Sequence, residues 1–268
     1  MRFGFIGDIV GKGGVSCVVA QVPNWRRTAE LDVVIANAEN AYNGSGLSPG
    51  QYHNLCAAGV DLITLGDHAY KKREIYSVLA SHGNIARPAN FPHTAPGKGW
   101  ASFQLPDGRS FSVIVLLGRV FMRPVDCPFH CVDAILNSGN LPPGPVLVDF
   151  HAEATSDKQL MGYYLDGRVA AVLGTHTHVT TADERILPKG TAFQCDVGMS
   201  GPHSGVIGRE TRQVLKTILT FEPTSFLVAE GNVEIHATIV ELDDETSVAK
   251  SIERVVLRES DSIQSFRL

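Results

Sequence analysis

Five strand-like runs in this sequence end in side chains able to hold a metal ion or move a proton. They are Ile6-Gly7-Asp8, Ala36-Asn37-Ala38-Glu39-Asn40, Leu65-Gly66-Asp67-His68, Val148-Asp149-Phe150-His151 and Leu173-Gly174-Thr175-His176-Thr177-His178. Taken singly, each has an ordinary explanation, such as a turn cap for Asp8 or a partly buried imidazole for His151. Taken together they place polar groups at one end of every run, where open α/β sheets bind their ligands. Asp8, Glu39, Asn40, Asp67, His151, His176 and His178 therefore read as ligands of one metal centre. His176 and His178 give the sharpest signal, because residues at i and i+2 of an extended segment share a side and can reach adjacent ions.

Carboxylate, amide and imidazole donors without thiolate favour Mn, Fe(II) or Zn, whereas Mg or Ca would call for oxygen alone. Seven such donors with one bridging carboxylate would serve two ions, with about four protein ligands each. Two divalent ions are thus expected, Fe or Mn first and Zn as the alternative. Rival motifs fail. Gly7 to Gly13 lacks the P-loop spacing and has glycine where Ser or Thr must meet Mg, and Ser16 occupies the third glycine position of a dinucleotide fingerprint. Gly198-Met199-Ser200-Gly201 is one residue short of a nucleophile elbow.

The elements that must position these tips follow from hydropathic pattern. Apolar runs at Phe3 to Ile6, Val33 to Ala36, Leu62 to Leu65, Val113 to Leu117, Val146 to Phe150 and Val169 to Leu173 predict buried strands. Between them, Val15 to Glu30, Pro49 to Ala58, Lys72 to Ser81 and Thr155 to Leu165 predict helices. The alternation implies an α/β fold. Toward the C-terminus, Thr224 to Ala229, Val233 to Val240 and Val248 to Val256 predict antiparallel strands and a second sheet stacked on the first. With 268 residues, 44% hydrophobic and 19% charged, the chain is read as a single domain over 1–268.

A net charge of −5 and the absence of a basic run exclude a nucleic-acid-binding tail. The N-terminus enters a strand without signal-peptide zones, and no apolar stretch could cross a bilayer, so a cytoplasmic protein without membrane partners is expected. Five cysteines, an odd number without a CxxC pair, argue against a disulfide framework.

In order and spacing, these motifs resemble those of the YmdB-like branch of the calcineurin-type metallophosphoesterases over nearly the whole chain. The resemblance rests on Gly7-Asp8-Ile9-Val10-Gly11, Asn37-Ala38-Glu39-Asn40, Ile63-Thr64-Leu65-Gly66-Asp67-His68, Leu117-Gly118-Arg119-Val120-Phe121, Asp149 to Thr155, Gly174 to Val179 and Asp196-Val197-Gly198-Met199. It implies a four-layer α/β/β/α sandwich and a binuclear phosphodiesterase, with 2′,3′-cyclic nucleotides or related phosphodiesters as substrates. By the family's pattern, Asp8, Glu39, Asn40 and His178 hold one ion and Glu39, Asp67, His151 and His176 the other. A hydroxide generated on the metals would attack phosphorus, and His68 would be the catalytic histidine at the leaving oxygen.

Asp67 departs from the family, which usually has Asn at that position. An ionised Asp only accepts hydrogen bonds, whereas an Asn amide also donates to phosphate. The centre is also one positive charge poorer, which tightens metal binding and weakens attraction for an anion. Asp149 and Glu153 are read as orienting the imidazoles, and Arg119, Arg209 and Asp196 as candidates for the pocket wall. The alternative reading is a metal-binding regulator that engages nucleotide or RNA with little turnover. The pattern leaves RNA contact and a homo-oligomer open.

Overall fold

A run such as Val33-Val34-Ile35-Ala36 has no polar face to offer solvent, so it becomes a strand covered on both sides. The computed structural model describes residues 1–258. Its first half comprises β1 (Arg2–Ile6), β2 (Asp8–Ile9), α1 (Gly11–Thr28), β3 (Val33–Asn37), α2 (Pro49–Ala57), β4 (Leu62–Thr64), α3 (Ile75–Ser81) and β5 (Ile85–Ala86). Next come β6 (Trp100–Gln104), β7 (Ser110–Leu117), α4 (Pro128–Asn137), β8 (Val146–His151), α5 (Thr155–Leu165), β9 (Ala171–Thr175), β10 (Arg185–Ile186) and β11 (Ala192–Gln194). The chain continues through β12 (Met199–Pro202), α6 (Thr211–Thr220), β13 (Val233–Leu242) and β14 (Ala249–Arg258).

These strands form two sheets. The first runs β2-β12-β13-β1-β3-β4-β5, with β14 along the other edge of β13, and the second runs β10-β11-β9-β8-β7-β6. Three apolar layers alternate with them. Val18, Val22, Leu55 and Ile75 cover the outer face of the first sheet, and Phe3, Phe5, Ile35, Phe111, Val113 and Leu173 fill the space between the sheets. Val132, Met161 and Leu165 from α4 and α5 close the outside of the second sheet. The order of layers is therefore α/β/β/α.

The topology corrects three expectations. The six apolar runs do not form one sheet: β1, β3 and β4 belong to the first, and β7, β8 and β9 to the second. The C-terminal strands do not build the second sheet either. They extend the first, with β13 antiparallel to both β1 and β14. Thr224 to Ala229 is not a strand but an irregular segment, held by an isolated bridge from Val228 to Arg209 and by hydrogen bonds at Phe226, Leu227 and Ala229. Pro223 precedes it and supplies no backbone donor, and the segment serves as a wall near the strand tips.

Boundaries shift where a single residue decides them. Helix α1 starts at Gly11, ahead of the expected Val15, because Gly11 turns the chain out of β2 at φ +67°. A side chain there would run into Val228. Ser48 starts α2 through a reciprocal capping box with Gln51.

Candidate metal centre

The parallel strands of both sheets carry their tips to one edge of the sandwich. Asp8 lies in β2, Glu39 and Asn40 follow β3, Asp67 and His68 follow β4, His151 ends β8, and His176 and His178 follow β9. Asp8, Glu39, Asn40 and His151 are buried. All seven side chains expected as ligands meet here. Glu39 Oε1 lies 3.0 Å from His151 Nε2, Asp67 Oδ1 3.2 Å from the same nitrogen, and His176 Nδ1 3.0 Å from it. On the other side, Asn40 Nδ2 is 3.1 Å from His178 Nε2, which is 3.8 Å from Asp8 Oδ1.

The hydrogen-bond network sets what these atoms can do. The Thr175 hydroxyl donates to Asp149 Oδ1 at 2.7 Å, so it must accept the Nδ1 proton of His151 at 2.8 Å. That leaves the His151 Nε2 lone pair facing two carboxylates and a second imidazole. His178 donates from Nδ1 to the Ile207 carbonyl at 3.1 Å, which leaves its Nε2 lone pair to accept from the Asn40 amide at 3.1 Å, with Asp8 Oδ1 3.8 Å away. Such back-side bonds are how proteins fix ligating imidazoles. Acceptors crowded together require a cation among them. Asp8 Oδ1 makes the same demand, being buried without a hydrogen-bond partner.

The same crowding also draws protons to Asp8 and His151. Burial pushes the Asp8 carboxyl up to about 6, against the pull of His178 and His151. Burial would also raise Glu39 and Asp67, yet the neighbouring His151 holds both below the usual carboxylate range. His151 is itself driven well above the imidazole range: burial opposes this, but Glu39 and Asp67 prevail. Glu39, Asp67, His151 and His176 offer ligand atoms all within 4.8 Å of one another. A cluster in which each group calls for its neighbour's charge fits divalent ions.

The sequence expectation for His176 and His178 is corrected in one respect. They do not extend a strand: their φ values are 101° and 63°, in the left-handed region. Asp8 accepts from the His176 backbone at 3.0 Å, and Asp196 accepts from the Thr177 backbone at 3.0 Å and its hydroxyl at 2.7 Å. These carboxylates hold the strained turn so that both rings reach inward. Beneath it lies Lys158, fully buried and paired with Asp196 at 2.6 Å.

His68 sits at the mouth. Its backbone donates to Glu39 at 2.8 Å, and its Nδ1 faces Asn40 Oδ1 at 2.7 Å. Glu153 approaches His176 Nε2 at 3.2 Å. A cleft of about 310 Å³ opens above, walled in part by His68, Glu153, Arg209 and Phe226. Asp196 lies below the cleft and Arg119 outside it, so of those three wall candidates only Arg209 lines it. The Arg209 guanidinium is committed to the carbonyls of Asn43, Gly44 and Phe226, bracing the wall instead of reaching into the cleft. Sequence reasoning missed Thr175, Asn37, Lys158 and Phe226. Thr175 lay inside a quoted motif, whereas Phe226 gave no signal in a segment read as a strand.

Four layers with carboxylates and imidazoles gathered where the two sheets' tips meet define a protein of the metallophosphoesterase type. The family model for YmdB-like protein matches residues 5–255, and the chain belongs to that family. Among its relatives is a 2′,3′-cyclic-nucleotide 2′-phosphodiesterase of Bacillus subtilis (strain 168), 43% identical over 97% of this chain and 98% of that one. A crystal structure of a hypothetical protein from Thermus thermophilus superposes with a TM-score of 0.91 at 42% identity, covering 97% and 100% of the two chains. A crystal structure of a novel phosphatase from Mycoplasma pneumoniae gives a TM-score of 0.89 at 30% identity, covering 98% and 96%.

Proposed function

We propose that this chain is a metal-dependent phosphodiesterase that hydrolyses 2′,3′-cyclic nucleotides or closely related phosphodiesters. The observation that carries the reading is the convergence of lone pairs from Asp8, Glu39, Asp67, His151 and His178, with each histidine's far nitrogen tied to an oxygen. Asp8, Glu39, Asn40 and His178 would hold one divalent ion and Glu39, Asp67, His151 and His176 a second, with Glu39 shared. Oxygen and imidazole donors without thiolate suit Mn or Fe(II), with Zn as the alternative. When bound, such a pair supplies Lewis acidity toward a phosphoryl oxygen and toward water.

The chain's own residues do the rest. His68 is anchored by Asn40 through Nδ1, and its Nε2 lies 3.7 Å from Asp67 Oδ2 at the cleft mouth. That placement suits delivery of a proton to the departing ribose oxygen. Asp149, acting through Thr175, keeps His151 in one tautomer, and Glu153 orients His176. Phe226, 42% exposed at the rim, presents a ring on which a nucleobase can stack. The activity named for the Bacillus subtilis relative indicates the 2′ ester as the bond cut. A cytoplasmic setting is part of this reading, and no helix among the described residues is long and apolar enough to cross a membrane.

The test is an assay of 2′,3′-cyclic AMP with protein stripped by chelator and reloaded with Mn, together with metal analysis. Turnover should vanish on stripping and return with metal. Cyclic nucleotide bound but left intact would overturn the enzyme reading in favour of a nucleotide-binding regulator.

A further inference from the structure

A second group of potential ligands lies apart from the centre and shares no residue with it: His203, Glu234 and His236, whose donor atoms are all within 4.8 Å of one another. Glu234 and His236 stand two apart on β13 and so point to the same face of the sheet. His203 follows β12, the strand that pairs Gly201 with Glu234. The rings of His203 and His236 stack at 4.5 Å with an interplanar angle of 20°.

The bonds behind the rings are informative. His203 Nδ1 lies 2.9 Å from the Gly201 carbonyl, which can only accept, so that nitrogen carries the proton. The Thr180 hydroxyl donates to the Val197 carbonyl at 3.0 Å and therefore accepts from Nδ1 of His236. Both imidazoles thus expose Nε2 lone pairs. The lone pair of His236 faces Glu234 Oε2 at 3.2 Å, an arrangement of two acceptors that needs a positive charge between them. A proton is a poor choice, since it would charge a half-buried ring stacked on His203. Glu234 Oε1 is turned to Arg258 at 3.3 Å, which leaves Oε2 for the cation.

We infer that His203, Glu234 and His236 form a separate divalent-metal site, of the two-imidazole, one-carboxylate composition that takes zinc with a fourth position left to water. Here the ion would tie the loop after β12 to β13 and stiffen the first sheet beside the turn that carries His178. The inference concerns where the ion binds and does not rest on the phosphodiesterase reading.

Zinc alone is the probe. Stripped protein is reloaded with Zn²⁺, passed through gel filtration and assayed for metal per chain, for the parent and for His203→Gln and Glu234→Gln. The variants should retain one equivalent fewer than the parent and hydrolyse 2′,3′-cyclic AMP at the parent's rate. Equal metal content in folded variants would overturn the site and identify the contact as an ordinary histidine–glutamate hydrogen bond. A second arm removes dependence on how these variants fold. In a His151→Gln, His178→Gln background, one zinc should remain bound, and Co²⁺ in its place should give the visible absorption of a tetrahedral site. No retained metal in that background would likewise overturn it.

Discussion

At position 67 a single atom type decides the character of the centre. Asp67 Oδ1 lies 3.2 Å from His151 and its Oδ2 3.7 Å from His68, so both carboxylate oxygens face the reacting region and neither can donate. Replacing it with Asn keeps the shape, removes one negative charge and restores an amide donor toward phosphate. Asp67→Asn is expected to raise kcat on 2′,3′-cyclic AMP by about tenfold, the worth of one charge-assisted hydrogen bond of roughly 1.5 kcal/mol. It should also weaken metal retention. Steady-state kinetics at saturating Mn decide the matter, and a variant no faster than its parent would show that Asp67 serves a substrate bringing its own donor.

The neighbouring Gly66 is bound by space. A side chain there would collide with His151 Nε2 and Glu39 Oε2, so the smallest substitution displaces two ligating groups at once. Gly66→Ala should leave the circular dichroism spectrum unchanged while costing about 100-fold in turnover, the usual consequence of moving positioned groups by about 1 Å. An active Gly66→Ala enzyme would mean that the cluster adjusts freely and its geometry is not preorganised.

Among the elements, what could be read in advance and what could not divide along physical lines. Val33 to Ala36 and Val113 to Leu117 announced themselves because a strand buried on both faces is apolar throughout. Asp8, Glu39 and His151 were legible because polar types interrupt such runs at their ends. Which sheet a run joins depends on long-range pairing, such as Ile35 with Leu62 and Leu147 with Ala171, and local pattern carries none of that. The turn of His176 and His178 was misread as extended for a similar reason: its conformation is imposed by Asp8 in β2 and by Asp196 in the loop after β11. Lys158 gave no warning at all. It sits on α5 where periodicity calls for an apolar residue, and only the fold reveals Asp196 opposite it. Removing one partner of a buried pair strands the other charge, so Lys158→Met should destabilise the protein by about 3–5 kcal/mol. Asp196 also anchors Thr177, and kcat should fall along with the urea midpoint. A variant as stable as the parent would show that Asp196 finds its compensation elsewhere.

For the whole molecule, the centre and the fold are one problem. Asp8, Glu39, Asn40, Asp67 and His68 come from the first sheet and its loops, whereas His151, His176 and His178 come from the second. The layer between the sheets joins Phe3 and Phe5 of β1 to Phe111 and Val113 of β7, so neither sheet keeps its inner face buried without the other. We therefore propose that the chain unfolds as a single unit. Calorimetry of metal-loaded protein should give one transition with equal calorimetric and van't Hoff enthalpies. Stripping the metal should lower its midpoint, because acceptors left facing one another lose their cation. An ion present at ~100 times its Kd stabilises by about 2.7 kcal/mol. At roughly 2–4 °C for each ~1 kcal/mol in a chain of this size, the shift should be about 5–10 °C. Two resolved transitions would separate the sheets into independent lobes. A midpoint indifferent to chelator would mean that the clustered carboxylates and imidazoles are neutralised by their own protons, with no ion required to hold the tips together.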